Sequence, residues 1–416
     1  MGWTMAKKTV ADINVKGKKV LMRCDFNVPL DDNQNITSDA RIVKALPTIK
    51  HILDGGGALI LMSHLGRPKG QPDEKFSLKP VAKRLSELLG QEVVFAEDCV
   101  GADTKAKAEA LKDGDCMLLE NLRFHKEETI KDKAAKEDAQ LRQAKDDFAK
   151  ELAALADVYV DDAFGTAHRD NASMYTVPAV MEGKPRVSGF LIEKEMKFLG
   201  ETLKDPERPF VAILGGAKVS DKIGVIENLI HKVDTIVIGG AMAYTFFKAQ
   251  GKQIGSSLCE DDFLDKATEL LDQGKEAGCE VVLPVDSVAA QEVKAGAANK
   301  VVGDNIEADW LGLDIGPESQ KLFAEKVASA KTVVWNGPMG VFEMEPFDAG
   351  TKAVAQAVAA ATDNGAKSII GGGDSASAVT KLGLEERISH ISTGGGASLE
   401  FLEGKKFVCL EILDEK

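Results

Sequence analysis

The chain has 416 residues, of which 44% are hydrophobic and 28% are charged. This balance is typical of a globular protein and excludes the disordered and fibrous classes. At roughly 150 residues per domain, the length favours two or three domains over one small binding module. Asp and Glu total 66 against 52 Lys and Arg, and the net charge of −14 disfavours general binding to nucleic-acid phosphates.

No apolar stretch approaches the roughly 18 to 20 residues of a membrane-spanning helix. The opening MGWTMAKKTV lacks the apolar segment of a secretory signal. The six cysteines are scattered, without a C-x-x-C pair or a histidine at zinc-site spacing, and we interpret them as reduced thiols. We therefore expect a cytoplasmic protein with no membrane association.

Short apolar runs alternate with stretches of helical spacing along the chain, which predicts an α/β fold with parallel sheets. The runs interpreted as buried strands lie within 18–28, 57–64, 115–122, 157–165, 210–216, 235–240, 280–287, 332–338 and 367–375. A helix is predicted over 77–90, with Gly90 as its C-terminal cap. In this class of fold, ligands bind at the carboxyl ends of the strands.

The charge-rich segment 125–155 places Leu141, Phe148, Leu152 and Leu155 on one helical face. We interpret it as a single long surface helix whose polar side faces solvent. The stretch 178–210 contains Pro, Gly and an isolated helical pattern, and it is the best candidate for a domain boundary.

The first half of the chain carries arginines at strand ends or in the turns that follow. They are Arg23, Arg41, Arg67, Arg123 and Arg169. Guanidinium groups bind carboxylate and phosphate in a bidentate manner, so arginines gathered at one sheet edge predict an anion pocket. His64, Asp25 and Asn27 add hydrogen-bonding groups beside them. The alternative for any single arginine is a helix cap or a surface ion pair.

Four apolar runs of the second half end in glycine-rich turns that precede helical stretches, within 211–224, 235–246, 368–379 and 390–401. Glycines let the backbone approach an anion closely, and the dipole and N–H groups of the next helix stabilise its charge. Lys218 and Lys222 lie four positions apart at a helix start and suit a polyphosphate. Asp374 follows a glycine triplet and offers an oxygen ligand for magnesium.

Neither the P-loop motif nor the dinucleotide fingerprint G-x-G-x-x-G with its acidic residue is present. DAFG (162–165) and HRD (168–170) match protein-kinase fragments, but they occur in reverse order and lack the accompanying lysine and asparagine. We treat that match as coincidence.

Eight motifs between Val20 and Leu402 together resemble the phosphoglycerate kinase family in sequence and in order. They are RCDFNVPL, LMSHLGRP, ENLRFHKEE, DAFGTAHR, LGGAKVSDKI, VWNGPMGVFE, GGGDSA and STGGGASLE. The resemblance implies reversible phosphoryl transfer between 1,3-bisphosphoglycerate and magnesium ADP, giving 3-phosphoglycerate and ATP. It also implies a monomer whose partners are these small molecules.

The same resemblance implies two lobes, each a parallel sheet flanked by helices in a Rossmann-like arrangement, joined by a hinge helix. The N-terminal lobe would span 1–186 and bind 3-phosphoglycerate. A hinge over 187–200 would lead to a nucleotide-binding lobe over 201–404, and the tail 405–416 would return to the first lobe. Closure at the hinge would bring the two substrates together and exclude water.

The resemblance further implies the residues of both sites. Around the glycerate substrate it places Asp25, Phe26, Asn27, Arg41, His64, Leu65, Gly66, Arg67, Arg123 and Arg169. Around the nucleotide it places Gly216, Ala217, Lys218, Lys222, Gly239, Gly240, Gly312, Asn336, Pro338, Glu343, Gly371, Gly372, Gly373, Asp374 and Ser375, with Asp374 on Mg²⁺. Arg41, Lys218, Gly373 and Gly396 would act on the transferring phosphoryl group.

Three features depart from the family pattern. Asn171 stands two positions after Arg169, where many relatives have His, the segment 125–155 is longer than usual, and the tail FVCLEILDEK differs from the common ending. Two other functions remain open at this point: a catalytically silent nucleotide-binding scaffold and an acyl-phosphate kinase with a different acid.

Overall fold

The computed structural model describes residues 7–416, which form two compact units. The first unit contains the described residues up to Met196 together with Lys406–Lys416, and the second contains Lys197–Lys405. Among the described residues, every helix falls short of the length and hydrophobicity that a membrane crossing requires.

The first unit is built on six strands: β1 (Lys19–Cys24), β2 (Ala58–Met62), β3 (Val93–Ala96), β4 (Cys116–Leu119), β5 (Val158–Asp162) and β6 (Arg186–Ser188). All pair in parallel, in the order β3-β4-β2-β1-β5-β6. Its helices are α1 (Ala40–Asp54), α2 (Lys79–Leu89), α3 (Ala102–Ala110), α4 (Asp132–Glu137), α5 (Ala139–Ala153), α6 (Val177–Val180) and α7 (Phe190–Glu195). The central strands are buried along almost their whole length, as expected for a parallel sheet covered on both faces.

The second unit contains a six-stranded parallel sheet and a three-stranded antiparallel sheet. The strands are β7 (Phe210–Leu214), β8 (Thr235–Ile238), β9 (Glu280–Val282), β10 (Ser287–Ala290), β11 (Asn299–Val302), β12 (Leu311–Ile315), β13 (Thr332–Asn336), β14 (Lys367–Gly371) and β15 (His390–Ile391). The orders are β15-β14-β13-β7-β8-β9 and β11-β10-β12. The larger order reverses direction between β7 and β13, and ligands of doubly wound sheets bind at such a point.

Most helices of the second unit follow these strands and their turns, and the first precedes β7. They are α8 (Thr202–Lys204), α9 (Ile223–Ile230), α10 (Met242–Ala249), α11 (Leu264–Ala277), α12 (Pro317–Ala328), α13 (Ala349–Asp363), α14 (Gly373–Lys381) and α15 (Gly396–Leu402). One further helix, α16 (Val408–Glu411), belongs to the first unit. Fully buried Trp335 and Phe323 are part of the core of the second unit.

The C-terminal tail is bonded into the first unit beside β6. The Asp414 amide donates to the Arg186 carbonyl at 2.8 Å, and the Asp414 carboxylate accepts from the Arg186 guanidinium at 3.1 Å. The Lys8 amide donates to the Asp414 carbonyl at 2.9 Å, and the Cys409 thiol donates to the Arg169 carbonyl, also at 2.9 Å. The last residues of the chain therefore hold one edge of the first sheet.

The predicted α/β fold with two parallel sheets is confirmed. Gly90 caps α2 in the left-handed region, with φ of 67°. The strand predicted over 280–287 is wrong as one element, because Pro284 lacks the N–H that a continuous strand needs. The run is divided into β9 of the parallel sheet and β10 of the antiparallel sheet, which was not predicted.

The prediction of one helix over 125–155 is also wrong. The segment contains a 3₁₀ turn (Lys126–Thr129), then α4 and α5, and the Asp138 carboxylate caps α5 by accepting from two backbone amides. Leu141 is 37% exposed, whereas Lys145 is fully buried. The Lys145 ammonium donates to the Asp132 carboxylate and the Asp170 carbonyl, both at 2.7 Å, which explains why a charge replaces an apolar contact there.

Candidate active site

The loops that leave β1 and β2 are locked to each other at the carboxyl edge of the first sheet. The Ser63 hydroxyl accepts from the Phe26 amide and donates to the Cys24 carbonyl, both at 2.8 Å. The Gly66 amide donates to the Asn27 side-chain oxygen at 2.8 Å. Because parallel strands end at the same edge, these bonds hold two segments of predicted site residues side by side.

The turn after β4 joins the same edge through Asn121 and Arg123. The Asn121 amide group donates to the Leu65 carbonyl at 2.7 Å, and one Arg123 guanidinium nitrogen donates to the Gly66 carbonyl at 2.7 Å. Burial, followed by the charges of Arg23 and Arg169, lowers the pKa of Arg123 to about 10. Arg123 therefore remains charged at neutral pH, and the charge of Glu128 offsets only part of the shift.

His64 is buried, and its Nδ1 atom lies 3.0 Å from a guanidinium nitrogen of Arg23. Because arginine only donates hydrogen bonds, Nδ1 must accept, which places the imidazole proton on Nε2. Burial is the main cause that holds the pKa of His64 well below its usual value, followed by the charges of Arg23, Arg123 and Arg169. His64 is thus a neutral ring that offers one N–H donor.

Arg23 is itself held by a buried network that the sequence analysis missed. Its Nε donates to the Ser173 hydroxyl at 3.0 Å, and that hydroxyl donates to the Glu128 carboxylate at 2.7 Å. Glu128 also accepts from the Ser173 amide at 2.9 Å and from the Asn171 amide group at 3.2 Å. The signal available in the sequence is that Glu128 ends the ENLRFHKEE motif.

The arginines form one basic cluster, defined here as Arg23, Arg41, Arg67, Arg123 and Arg169. Arg41 forms an ion pair with Asp25. The charges of Arg41 and Arg169 lower the pKa of His64, and that of Arg67 lowers the pKa of Arg123, so the five groups lie within electrostatic reach of one another. Within residues 7–416, the four arginines other than Arg41 form no ion pair with a carboxylate.

In the second unit, the turns after β7, β8 and β13 meet at the reversal point of the sheet. The Gly215 amide donates to the Asn336 carbonyl at 2.9 Å, and the Gly216 amide donates to the Pro338 carbonyl at 3.0 Å. A Cβ atom at Gly240 would lie 2.6 Å from the Gly216 nitrogen, and the φ of Gly240 is 70°. Only glycine fits this position, because both the backbone angle and the close approach exclude a side chain.

Lys222 is buried beside these turns, and its ammonium donates to the side-chain oxygen of Asn336. Burial lowers the pKa of Lys222, while the charges of Asp221 and Asp374 oppose that shift. The Asn336 amide nitrogen is buried without a hydrogen-bond partner in the described part of the chain. Lys218 and Ala217 are exposed at the same turn. The group therefore presents one buried and one exposed lysine.

The turn after β14 carries Gly371–Gly373 and leads into α14. Gly372 has a φ of 88°, and the Ser375 hydroxyl accepts from the Gly337 amide at 2.7 Å, which joins this turn to the one after β13. Asp374 is exposed, and its carboxylate makes no hydrogen bond or ion pair within residues 7–416. The turn thus leaves a carboxylate available for another ligand.

The remaining residues predicted for the nucleotide and the transferring group lie on four different elements. Gly239 begins the turn after β8, and Gly396 is the exposed first residue of α15. Gly312 lies in β12, where a Cβ atom would overlap the Tyr244 side chain at 1.9 Å. Glu343 is exposed in the turn after β13, whose Val341 amide donates to the Leu313 carbonyl at 2.8 Å. Gly312 thus lies in the antiparallel sheet, and the turn that carries Glu343 is hydrogen-bonded to that sheet.

These features define a class: an α/β protein with a cluster of unpaired guanidiniums in one unit and glycine turns with lysines in the other, which suits two phosphorylated anions. The sequence profile of the family described as phosphoglycerate kinase matches residues 10–405. Phosphoglycerate kinase from Chlorobium phaeobacteroides is 55% identical over 99% of this chain and 100% of its own, and that from Thermosipho africanus is 55% identical over 97% and 96%.

Solved structures agree. Phosphoglycerate kinase from Coxiella burnetii matches with a TM-score of 0.85 at 40% identity, covering 98% of both chains. That from Pyrococcus horikoshii matches with a TM-score of 0.81 at 32% identity, covering 97% of this chain and 98% of its own. The chain belongs to the phosphoglycerate kinase family. It is a phosphotransferase of glycolysis that transfers a phosphoryl group between 1,3-bisphosphoglycerate and ADP, with ATP and ADP as nucleotide substrates.

Proposed function

We propose that the basic cluster, with His64, Asn27 and the backbone of Phe26, Leu65 and Gly66, binds the glycerate substrate. The observation that carries this proposal is the set of four guanidiniums without a carboxylate partner within residues 7–416. Unpaired positive charge at a sheet edge is costly unless an anion neutralises it, because like charges repel in a partly desolvated site. Asp25, paired with Arg41, supplies an acceptor for a substrate hydroxyl.

We propose that the glycine turns of the second unit bind the nucleotide. Lys222 and the N-terminus of α14 would contact the phosphate chain, since both offer positive charge or free N–H groups there. The turns at Gly239, Gly240, Pro338 and Glu343, with Gly312, would accommodate the base and ribose. The Asn336 amide nitrogen supports this assignment, because it is a buried donor without an acceptor and a bound ligand would supply that acceptor.

We propose that Lys218 and Arg41 contribute positive charge, and the N-termini at Gly373 and Gly396 contribute N–H groups, to the transferring phosphoryl group. Phosphoryl transfer requires little covalent chemistry from a protein and depends on alignment and neutralisation of charge on the equatorial oxygens. Lys218 suits this role because it is exposed and forms no ion pair in the described part of the chain. Its charge is therefore available to a ligand.

We propose Asp374 as the residue that holds Mg²⁺ together with the nucleotide. The fit rests on its exposed carboxylate, which has no partner within residues 7–416, since Mg²⁺ prefers oxygen ligands and usually binds through one or two carboxylates plus phosphates. When bound, the ion neutralises charge on the phosphate oxygens.

We also propose that the protein acts in the cytoplasm as a monomer. The segment 187–200 would serve as the hinge for closure.

The glycerate assignment is tested with Arg67→Ala. Loss of one charge-assisted contact should raise the Kd for 3-phosphoglycerate about 10- to 100-fold, because such contacts contribute about 1.5 to 3 kcal/mol. Binding of ADP should stay nearly unchanged. Calorimetric titration of the purified protein with each ligand measures both constants. Lys83→Ala, which removes an exposed charge from α2 of the same unit, is the matched control. Unchanged 3-phosphoglycerate affinity in Arg67→Ala would remove Arg67 from the site.

A further inference from the structure

Asp98, Cys99 and His125 meet at the carboxyl edge of the first sheet, away from any role assigned above. Asp98 and Cys99 follow β3, and His125 follows the short 3₁₀ turn Leu122–Phe124 after β4. Because β3 and β4 are neighbours in the sheet, their exit loops lie next to each other. Three different metal-binding side chains from two distant parts of the sequence are thereby placed together.

The geometry of the three side chains is already close to that of a metal site. His125 Nε2 lies 2.7 Å from Asp98 Oδ1, and Cys99 is the next residue in the chain. One ligand atom from each residue lies within 4.8 Å of the other two. In a tetrahedral zinc site with bonds of about 2.0 to 2.3 Å, ligand atoms lie roughly 3.3 to 3.8 Å apart. The His125 and Asp98 atoms must therefore move apart slightly, and side-chain rotations of this size suffice to form the site.

The surroundings fix the orientation of the ligands before any metal binds. The His125 ring stacks on Phe148, with centroids 5.2 Å apart and an interplanar angle of 27°. The Cys99 amide donates to Asp98 Oδ1 at 2.6 Å, and the Cys99 side chain is 1% exposed. The nearby Glu128 carboxylate adds negative charge that acts on Cys99. A cation at this position would meet an oriented and negatively charged ligand set.

We propose that Asp98, Cys99 and His125 form a binding site for a single zinc ion, with water as the fourth ligand. A thiolate and an imidazole select a borderline-soft cation such as Zn²⁺ over Mg²⁺, which prefers oxygen ligands. The side chain of Asp98 is 55% exposed, which leaves an open side for the water. On binding, the Cys99 thiol proton and the proton between His125 Nε2 and Asp98 Oδ1 pass to solvent, and the neutral imidazole ring keeps its proton on Nδ1.

Cobalt substitution of the full-length protein tests this site. The reduced protein is treated with a chelator, desalted and titrated with Co²⁺, which reports thiolate ligation by a charge-transfer band in the near ultraviolet and tetrahedral geometry by visible d–d bands. We expect both bands to saturate at one equivalent and to disappear on addition of Zn²⁺. Absence of a thiolate band at millimolar Co²⁺ would overturn the proposal.

Single-residue variants identify the thiol that gives rise to the Co²⁺ charge-transfer band. Cys99→Ser should abolish the charge-transfer band, and His125→Gln should weaken Zn²⁺ binding at least about tenfold in competition with a chromophoric chelator. Cys259→Ser, which removes a partly exposed thiol in the second unit, should leave both signals unchanged. A band that survives Cys99→Ser but is lost in Cys259→Ser would overturn the assignment. His125→Gln keeps the test decisive if Cys99→Ser fails to fold.

Discussion

The chemistry of His64 is determined by the arginines around it. Arg23 fixes the imidazole tautomer, and the basic cluster keeps the ring neutral, so His64 donates one hydrogen bond without adding charge. Arg23 in turn depends on Ser173 and Glu128, which lie far from it in the sequence. At the scale of single residues, the properties of the site therefore arise from buried partners as much as from the groups that face the ligand.

Lys218→Ala should separate catalysis from binding. We expect kcat to fall about 10²- to 10³-fold, because preorganised charge at the transferring group acts mainly in the transition state, while the Kd for ADP rises less than about tenfold. Steady-state kinetics and ADP titration measure the two effects. As a control, Lys331→Ala removes an exposed lysine just before β13, at the end of the strand opposite the glycine turns. Its kcat and its Kd for ADP should equal those of the parent protein. Equal losses in kcat and ADP affinity would contradict the proposed role.

Glu128→Gln should disturb the glycerate site from a distance. The amide nitrogen cannot accept from Ser173 or Asn171, so at least one buried donor loses its partner, at a cost of about 1 to 3 kcal/mol. We expect a lower unfolding midpoint and a higher KM for 3-phosphoglycerate, with the KM for ATP unchanged. Glu127→Gln provides the neighbouring control. If only the midpoint moves, Glu128 supports the fold without positioning Arg23.

Arg67, Arg123, Arg169 and the glycine turns could be predicted from the sequence because they follow strands with strong hydrophobic patterns, whereas Arg41 lies in α1 and not at a strand end as predicted. Glu128 and Ser173 could not be, because their hydrogen bond joins two loops and leaves no periodic signal. The antiparallel sheet was missed for a different reason. Its strand β11 alternates between exposed and partly buried residues and is only four residues long, so its pattern is close to that of a loop.

At the scale of elements, the end of β5 carries two buried carboxyl groups. Asp161 accepts from the Ala163 amide at 3.0 Å, and Asp162 accepts from the Leu191 amide at the start of α7 at 2.9 Å. Burial raises the pKa of each to about 7. The folded state therefore holds protons that the unfolded chain releases near pH 4, and stability must fall as the pH rises from about 4 to 7.

Asp161→Asn should reduce this pH dependence. The substitution keeps an acceptor for the Ala163 amide and removes the group that ionises. Between pH 5 and pH 8, ionisation of Asp161 should lower the free energy of unfolding of the parent protein by on the order of 1 to 3 kcal/mol. The variant should not show this decrease. Urea unfolding at both pH values checks this. Asp113→Asn, at an exposed loop position, should keep the parental slope, and an identical slope in Asp161→Asn would contradict the shifted pKa.

At the scale of the whole molecule, the net charge of −14 opposes the binding of anions, and the basic cluster is the local exception. The division into units is not a simple division of the sequence, since the last residues belong to the first unit. Asp414 forms four hydrogen bonds with Arg186, through both its backbone and its carboxylate. The tail therefore contributes to the stability of β6.

Removal of residues 406–416 should weaken the first unit selectively. We expect hydrogen exchange to accelerate at least about tenfold in β6, because the amides and carbonyls at this edge lose their partners. Exchange in β7 and β13 should change little. Mass-spectrometric exchange of the truncated and parent proteins provides the comparison, with Asp414→Ala as a milder variant. Equal protection of β6 in all three proteins would show that the tail is dispensable there.

This arrangement has a consequence for how the protein is made. A ribosome releases the first sheet long before it translates Asp414, yet β6 lacks the hydrogen bonds that complete its edge until that residue emerges. The N-terminal part of the nascent chain therefore lacks these hydrogen bonds while the whole second unit is synthesised. The first unit, whose synthesis starts first, is the last to complete its folding.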